Sequence, residues 1–311
     1  MSKKKSKKQK IKLQKRPDKF RDFSDCLHWV KKSVYMIVRG RKTVIENQEA
    51  INWTTLGTGF VVAPYRLITA GHVINDESKG DIFQHQDGHK YYIIKHDDLD
   101  NWHYRILEPK LNKEIFTFPD VDLGIIYLDE GFYNLDGKTF ADKNDFIRVS
   151  KDYCPIGTDI GVLGYPLCAL QFTNRDLAQP KIGDILLRTD KGVINCRYRK
   201  TEKIANYEFT LSFNPGNSGG PIFDIKTGRL VSIVHGFRSS RIKLQETVLN
   251  DEEIKNLDLK EYKEKGFIET WHANYSIGYT SSSFIDVFEE HNINLEGVSL
   301  ARAWEGWGKR I

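Results

Sequence analysis

The chain has 311 residues, of which 40% are hydrophobic and 29% charged, and its net charge is +5. That composition supports a packed core and excludes a fibrous, low-complexity or wholly disordered polymer, and the length suits one large domain with extensions. No apolar run is long enough to span a bilayer, no signal-peptide core opens the chain, and Cys26, Cys154, Cys168 and Cys196 lack the paired spacing of a zinc site.

Residues 1–22 read as a basic disordered arm, because lysines dominate and almost nothing apolar is available to bury. The absent leader and sparse cysteines predict a cytoplasmic protein with reduced thiols, Cys154 and Cys168 being the pair that an oxidising compartment would join. A short helix is expected over residues 25–32 and a strand over 34–38. Residues 57–64 and 67–74 flank a turn at Tyr65-Arg66 and read as a hairpin that delivers His72 at its end. His85, His89, His96 and His103 follow without the spacing of metal ligands, so neither metal nor cofactor is expected. An apolar strand through Leu128 has Asp122 at its start, while Asp120, two residues earlier, reads as a solvated loop carboxylate.

The first half of the molecule is expected to span residues 23–145 and the second 146–291, with a tail over 292–311. Strands over 159–166, 182–188, 192–197 and 207–213 lead to Asn214-Pro215-Gly216-Asn217-Ser218-Gly219-Gly220-Pro221. A hairpin over 221–224 and 230–235 comes next, followed by a long insertion over about 238–273 whose charged core suggests one or two helices. A strand over 275–280 and a helix begun by Ser281 to Ser283 and ending near His291 complete the body. Many short strands between turn residues make the chain all-β, a sandwich or a barrel.

Three short stretches carry chemistry. A loop rich in glycine can adopt positive φ and point backbone N–H groups at one spot beside a serine, and Ser218 sits in such a loop. A serine hydroxyl is a poor nucleophile unless a base takes its proton and an acid orients that base. Thr69-Ala70-Gly71-His72 and Val121-Asp122-Leu123 offer these groups. Together the three stretches resemble the signatures of chymotrypsin-like and trypsin-like serine peptidases. The order His, Asp, Ser is that of this family and differs from those of subtilisins and α/β-hydrolases. The resemblance runs from about residue 30 to 291 and implies a double six-stranded β-barrel with a C-terminal helix and the site in the cleft between barrels. It assigns His72 as base, Asp122 as orienting acid and Ser218 as nucleophile, with the N–H groups of Gly216 and Ser218 as oxyanion hole.

The style is closest to bacterial trypsin-like peptidases, of high-temperature-requirement or glutamyl endopeptidase type, without a following peptide-binding domain. Asn217 stands where digestive trypsins have the aspartate that pairs with a trimmed N-terminus, so that activation switch is not expected. By position, the resemblance places Ser212 at the base of the primary pocket, His235 at or next to a pocket wall, Phe237 at its mouth and Gly278 on a lining strand. An acidic and a small or polar preference both stay open. The expected partner is a peptide or protein substrate, with nucleic acid and a membrane span not expected. The insertion over 238–273 is either a solvated decoration or a lid or docking element for a regulatory protein. A bacterial stress or phage-defence setting suits a restrained peptidase. The contrasting reading is a catalytically silent protease fold whose basic arm docks on nucleic acid or another anionic surface.

Overall fold

The computed structural model describes residues 16–45, 48–74, 89–96, 102–107, 115–128, 134–135, 138–139, 144–166, 187–201, 203–243, 270–293 and 295–296. The described chain opens with a segment fixed to the body. Arg16 donates from Nη1 to Phe146 O at 2.7 Å and from Nη2 to Gly228 O at 2.9 Å, Phe20 N–H donates to Lys226 O at 2.8 Å, and the Phe20 side chain is only 7% exposed. Residues 16–22 of the arm expected over 1–22 therefore belong to the folded body, and residues 1–15 lie outside the described residues. A single buried phenylalanine and one chelating guanidinium suffice to hold a segment whose composition reads as solvated. Helix α1 (Phe23–Val30) starts two residues before its expected position, because Asp22 caps it by accepting from Asp25 N–H at 2.9 Å.

The first half is an antiparallel sheet. It contains β1 (Val34–Ile45), β2 (Gln48–Ala63), β3 (Arg66–Ala70), β4 (His89–His96), β5 (Trp102–Leu107), β6 (Ile115–Phe118) and β7 (Leu123–Tyr127), in the spatial order β5-β4-β1-β2-β3-β7-β6. A one-turn helix, α2 (Gly71–Ile74), follows β3 directly. Among the described residues the sheet has seven strands where six were expected. A two-residue hairpin, β8 (Asn134–Leu135) with β9 (Lys138–Thr139), stands apart from it.

The second half contains β10 (Val149–Ser150), β11 (Asp159–Gly164), β12 (Arg188–Arg199), β13 (Ala205–Phe209), β14 (Pro221–Asp224), β15 (Leu230–Lys243) and β16 (Thr270–Thr280). Because β14 pairs with both β11 and β15, six strands close on themselves as β14-β11-β12-β13-β16-β15. Helix α3 (Ile285–Glu290) follows, and β17 (Leu295–Glu296) runs parallel to β10. The architecture is the all-β double-barrel type, mostly strand with few helices. Residues 238–243 and 270–273, the ends of the expected helical insertion, extend the β15–β16 hairpin instead, and 244–269 lie outside the described residues. The strand expected over 182–188 also lies mostly outside them.

Alternation along β1 shows where the cores sit. Tyr35 and Ile37 pack with Leu67, Ile93 and Ile126 inside the first half, whereas Val34, Met36 and Val38 face the opposite way. They join Phe60, Leu123, Tyr165, Phe223, Leu230, Ile233, Phe284 and Phe288 in an apolar layer that draws on both halves. Ile160, Val162, Ile194, Phe209, Ile222 and Val234 fill the second barrel. Strands buried on both faces are what a side-chain period of two produces when two sheets also pack on each other. The two halves thus pack on one shared apolar layer.

Candidate active site

The β3–β7 register brings the first two groups together. Ala70 pairs with Leu123, so the residues just after β3 lie beside the residue just before β7. Gly71 N–H donates to Asp122 O at 2.8 Å, His72 N–H donates to Asp122 Oδ1 at 2.8 Å, and His72 Nδ1 lies 2.8 Å from Asp122 Oδ2. Asp122 ends a tight turn through Pro119–Val121 in the left-handed region, φ 46° and ψ 49°, a conformation that aspartate tolerates better than most residues. Its side chain is 13% exposed and that of His72 44%. Asp120 points to solvent, as expected.

Burial pushes the Asp122 carboxyl upward, but hydrogen bonds from His235 and His72 outweigh it and hold the group well below the usual carboxylate range. Asp122 is therefore an anion throughout the neutral range. With Oδ2 accepting from Nδ1–H of His72, the other ring nitrogen, Nε2, is left as an acceptor.

The serine loop comes from the second barrel. Asn217 N–H donates to Asn214 O at 3.0 Å across Pro215-Gly216, and Gly216 has φ +96°. Proline followed by a positive-φ glycine is the signature of a type II turn, in which the central peptide faces opposite to its direction in a type I turn. A Cβ on Gly216 would collide with Tyr165 O, and one on Gly219 (φ +81°) with Thr69 Oγ1 and Thr58 O, so both positions require glycine. Thr58 ties this loop to the first half. Its N–H donates to Ser218 O at 2.8 Å, and its hydroxyl donates to Gly216 O at 2.8 Å and accepts from Tyr165 N–H at 3.0 Å. At Gly57 a Cβ would stand 2.7 Å from both Ser218 O and Val73 Cγ2, so the serine and the residue after His72 close on it from two sides. Sequence reading passed over Thr58; its signal was a hydroxyl residue between two glycines, Gly57 and Gly59.

The expected pocket residues fare differently. Ser212 is exposed, and its N–H donates to Asp190 Oδ2 at 3.2 Å. Gly278 is buried against Ser232 and Ile233, a close-packing position between β15 and β16. The Phe237 side chain lies outside the described residues. His235 turns its Nδ1 onto Asp122 Oδ2. One of its two ring nitrogens is thereby engaged by the acid. The pairing of β15 with β16 slips between Val234 and Gly236, a bulge at His235, and bulges beside active sites re-aim side chains. His72, Asp122 and His235 also place ligand-type atoms within 4.8 Å of one another, the one such group among the described residues. Both Nδ1 atoms are taken up by the carboxylate, so the geometry is that of a hydrogen-bonded set.

The described geometry joins His72 to Asp122 and ties the serine loop to the first half through Thr58. Among solved structures, an HtrA-type protease AlgW with a decapeptide is similar with a TM-score of 0.51 at 12% identity, over 87% of this chain and 67% of that one. The Rv3671c protease from M. tuberculosis, active form, is similar with a TM-score of 0.48 at 15% identity, over 88% and 87%. At such identities the AlgW likeness is one of fold. No curated protein matches in sequence. The family model of the trypsin-like peptidase domain matches residues 57–233, more than half of the chain and a span that holds His72, Asp122 and Ser218. The chain therefore belongs to the trypsin-like peptidase family and is by that family a serine protease.

Proposed function

We propose that the chain is an endopeptidase in which Ser218 attacks the scissile carbonyl, His72 takes and returns the proton, and Asp122 holds the imidazole. The supporting observation is the His72 Nδ1 to Asp122 Oδ2 contact at 2.8 Å, set by strand register. Nε2 of His72 receives the Ser218 proton, and the imidazolium that forms is stabilised by the buried Asp122 anion. N–H groups of Gly216 and Ser218 meet the charge on the tetrahedral oxyanion, each worth about 3–4 kcal/mol by comparison with other enzymes. His72 then protonates the leaving amine, and water repeats the cycle on the acyl-enzyme.

A cytoplasmic, reducing location belongs to the same reading, supported by the free thiols of Cys26, Cys154 and Cys196. So does a regulated bacterial setting, stress or phage defence, with the 238–273 segment as the docking element of a regulatory protein. Among the described residues no helix is long and apolar enough to cross a membrane.

Fluorophosphonate labelling tests the catalytic claim. The intact chain is expected to label, while Ser218→Ala and His72→Ala do not, with turnover of a casein substrate falling by about 10⁴-fold or more. Equal labelling of all three would sink the assignment.

A further inference from the structure

We propose that His235 is a positioning residue of the catalytic machinery, locking the orienting acid from the opposite side to the base and joining the two barrels at the reacting centre. The inference rests on the peptidase reading above.

Asp122 Oδ2 faces two imidazoles. Nδ1 of His72 approaches it from α2 and Nδ1 of His235 from β15, while Oδ1 takes the backbone N–H of His72. A carboxylate oxygen has two lone pairs, so both imidazoles are accommodated when each carries its proton on Nδ1. The two rings stand edge to face with centroids 5.9 Å apart. Among the described residues, the carboxylate's hydrogen bonds from its own half both come from His72, through its backbone N–H and its Nδ1.

The position of His235 in the chain makes the contact consequential. The preceding residue, Val234, exchanges two backbone bonds with the serine loop, Gly219 N–H to Val234 O at 2.8 Å and Val234 N–H to Gly220 O at 2.9 Å. One residue of β15 therefore holds the nucleophile loop, and the next holds the acid. The bulge at His235 lets both occur, because it frees the residue from the β16 ladder. The far side of the imidazole is packed by the Tyr279 ring, centroids 5.2 Å apart, and the Tyr279 hydroxyl is held by Lys200 Nζ at 2.9 Å. This cationic backing, together with Nδ1 being taken up by Asp122, favours the hydrogen-bonded role over metal ligation. A displacement of reacting groups by about 1 Å costs up to about 10²-fold in rate, so a residue that sets the Asp122-to-Ser218 geometry acts through rate and not through substrate binding.

The test compares the intact chain with His235→Ala and His235→Asn, Asn offering an amide N–H near the place of Nδ1–H. Second-order labelling rates with a fluorophosphonate and kcat and KM on fluorescein-labelled casein are measured in EDTA, with thermal melting as a fold control. His235→Ala is expected to lower kcat and the labelling rate by about 10- to 100-fold with KM changed less than about twofold, and His235→Asn to recover most of the loss. Low-field proton NMR is expected to show two imidazole Nδ1–H resonances in the intact chain and one in His235→Asn. Full activity of His235→Ala overturns the proposal, as does an Asn variant no better than Ala or an effect confined to KM. Should the Ala variant fail to fold, the Asn variant and the resonance count decide alone. An intact chain that neither labels nor cleaves sinks the peptidase reading itself, whereas an active chain indifferent to His235 sinks only this inference.

Discussion

Thr58 illustrates how one side chain can tie the serine loop to the other half of the molecule. Its hydroxyl donates to Gly216 O and accepts from Tyr165 N–H, and it is fully buried. Removing that hydroxyl while keeping the shape takes one hydrogen bond from the half-buried Gly216 carbonyl and one from the Tyr165 N–H, at a cost of about 1–3 kcal/mol. Thr58→Val is thus expected to lower the urea midpoint and to slow fluorophosphonate labelling, because the Gly216 peptide loses its tether. A lower midpoint with an unchanged labelling rate would confine Thr58 to stability. Gly216→Ala is the harsher change, with a Cβ driven into Tyr165 O at φ +96°. Its kcat is expected to fall by about 10²–10³-fold, the loss of one oxyanion donor, measured on the casein substrate.

Elements decide how the halves stay joined behind the cleft. The C-terminal end of α3 places His291 among Phe116, Phe118 and Tyr127 of the first half, with Tyr127 Oη 2.7 Å from His291 Nδ1 and Arg66 Nε donating to His291 O at 3.0 Å. Burial lowers the His291 pKa from its ordinary value; Glu290 opposes that and Arg66 adds to it. The unfolded chain therefore binds a proton at this residue, below about pH 6.5, that the folded chain resists. Its contribution is fully present above that pH and is lost as pH falls below it. Urea midpoints should drop between pH 7.5 and 5.5, and His291→Gln should flatten that slope; an identical slope in both proteins would remove His291 from the account. The same helix makes the serine cluster's role clear. Ser281 donates to Ser150 O and Ser283 to Ala205 O, so these hydroxyls fasten the turn before α3 to neighbouring strands and do not cap the helix.

At the scale of the molecule, the apolar layer drawn from both halves makes them one cooperative unit. Cys26 is fully buried within it, and burial, with Asp224 adding and Arg16 opposing, pushes its thiol up to about 12. Such a thiol is inert until the layer opens. Site-resolved alkylation by iodoacetamide at pH 8 is expected to modify Cys26 only at denaturant concentrations where circular dichroism reports unfolding. Modification at lower concentrations would mean that the halves part before they unfold. Arg16 and Phe20 belong to the same unit, since they clip the start of the described chain onto the turn at Lys226 and Gly228.

The sequence by itself determined the fold class and the family. His72, Asp122 and Ser218, the residues proposed for catalysis, each lie in a short local pattern, and the strand-rich architecture followed from short apolar runs between turns. Tertiary structure decided what depends on pairing between distant segments. The aim of His235 turned on a bulge in the β15–β16 register, the role of Thr58 on a contact 158 residues away, and the anchoring of residues 16–22 on carbonyls offered by remote turns. The physical reason is common to all three. A side chain's type is written locally, but the direction it points and the partner it meets are set by non-local register and close packing, which a period-two pattern cannot specify.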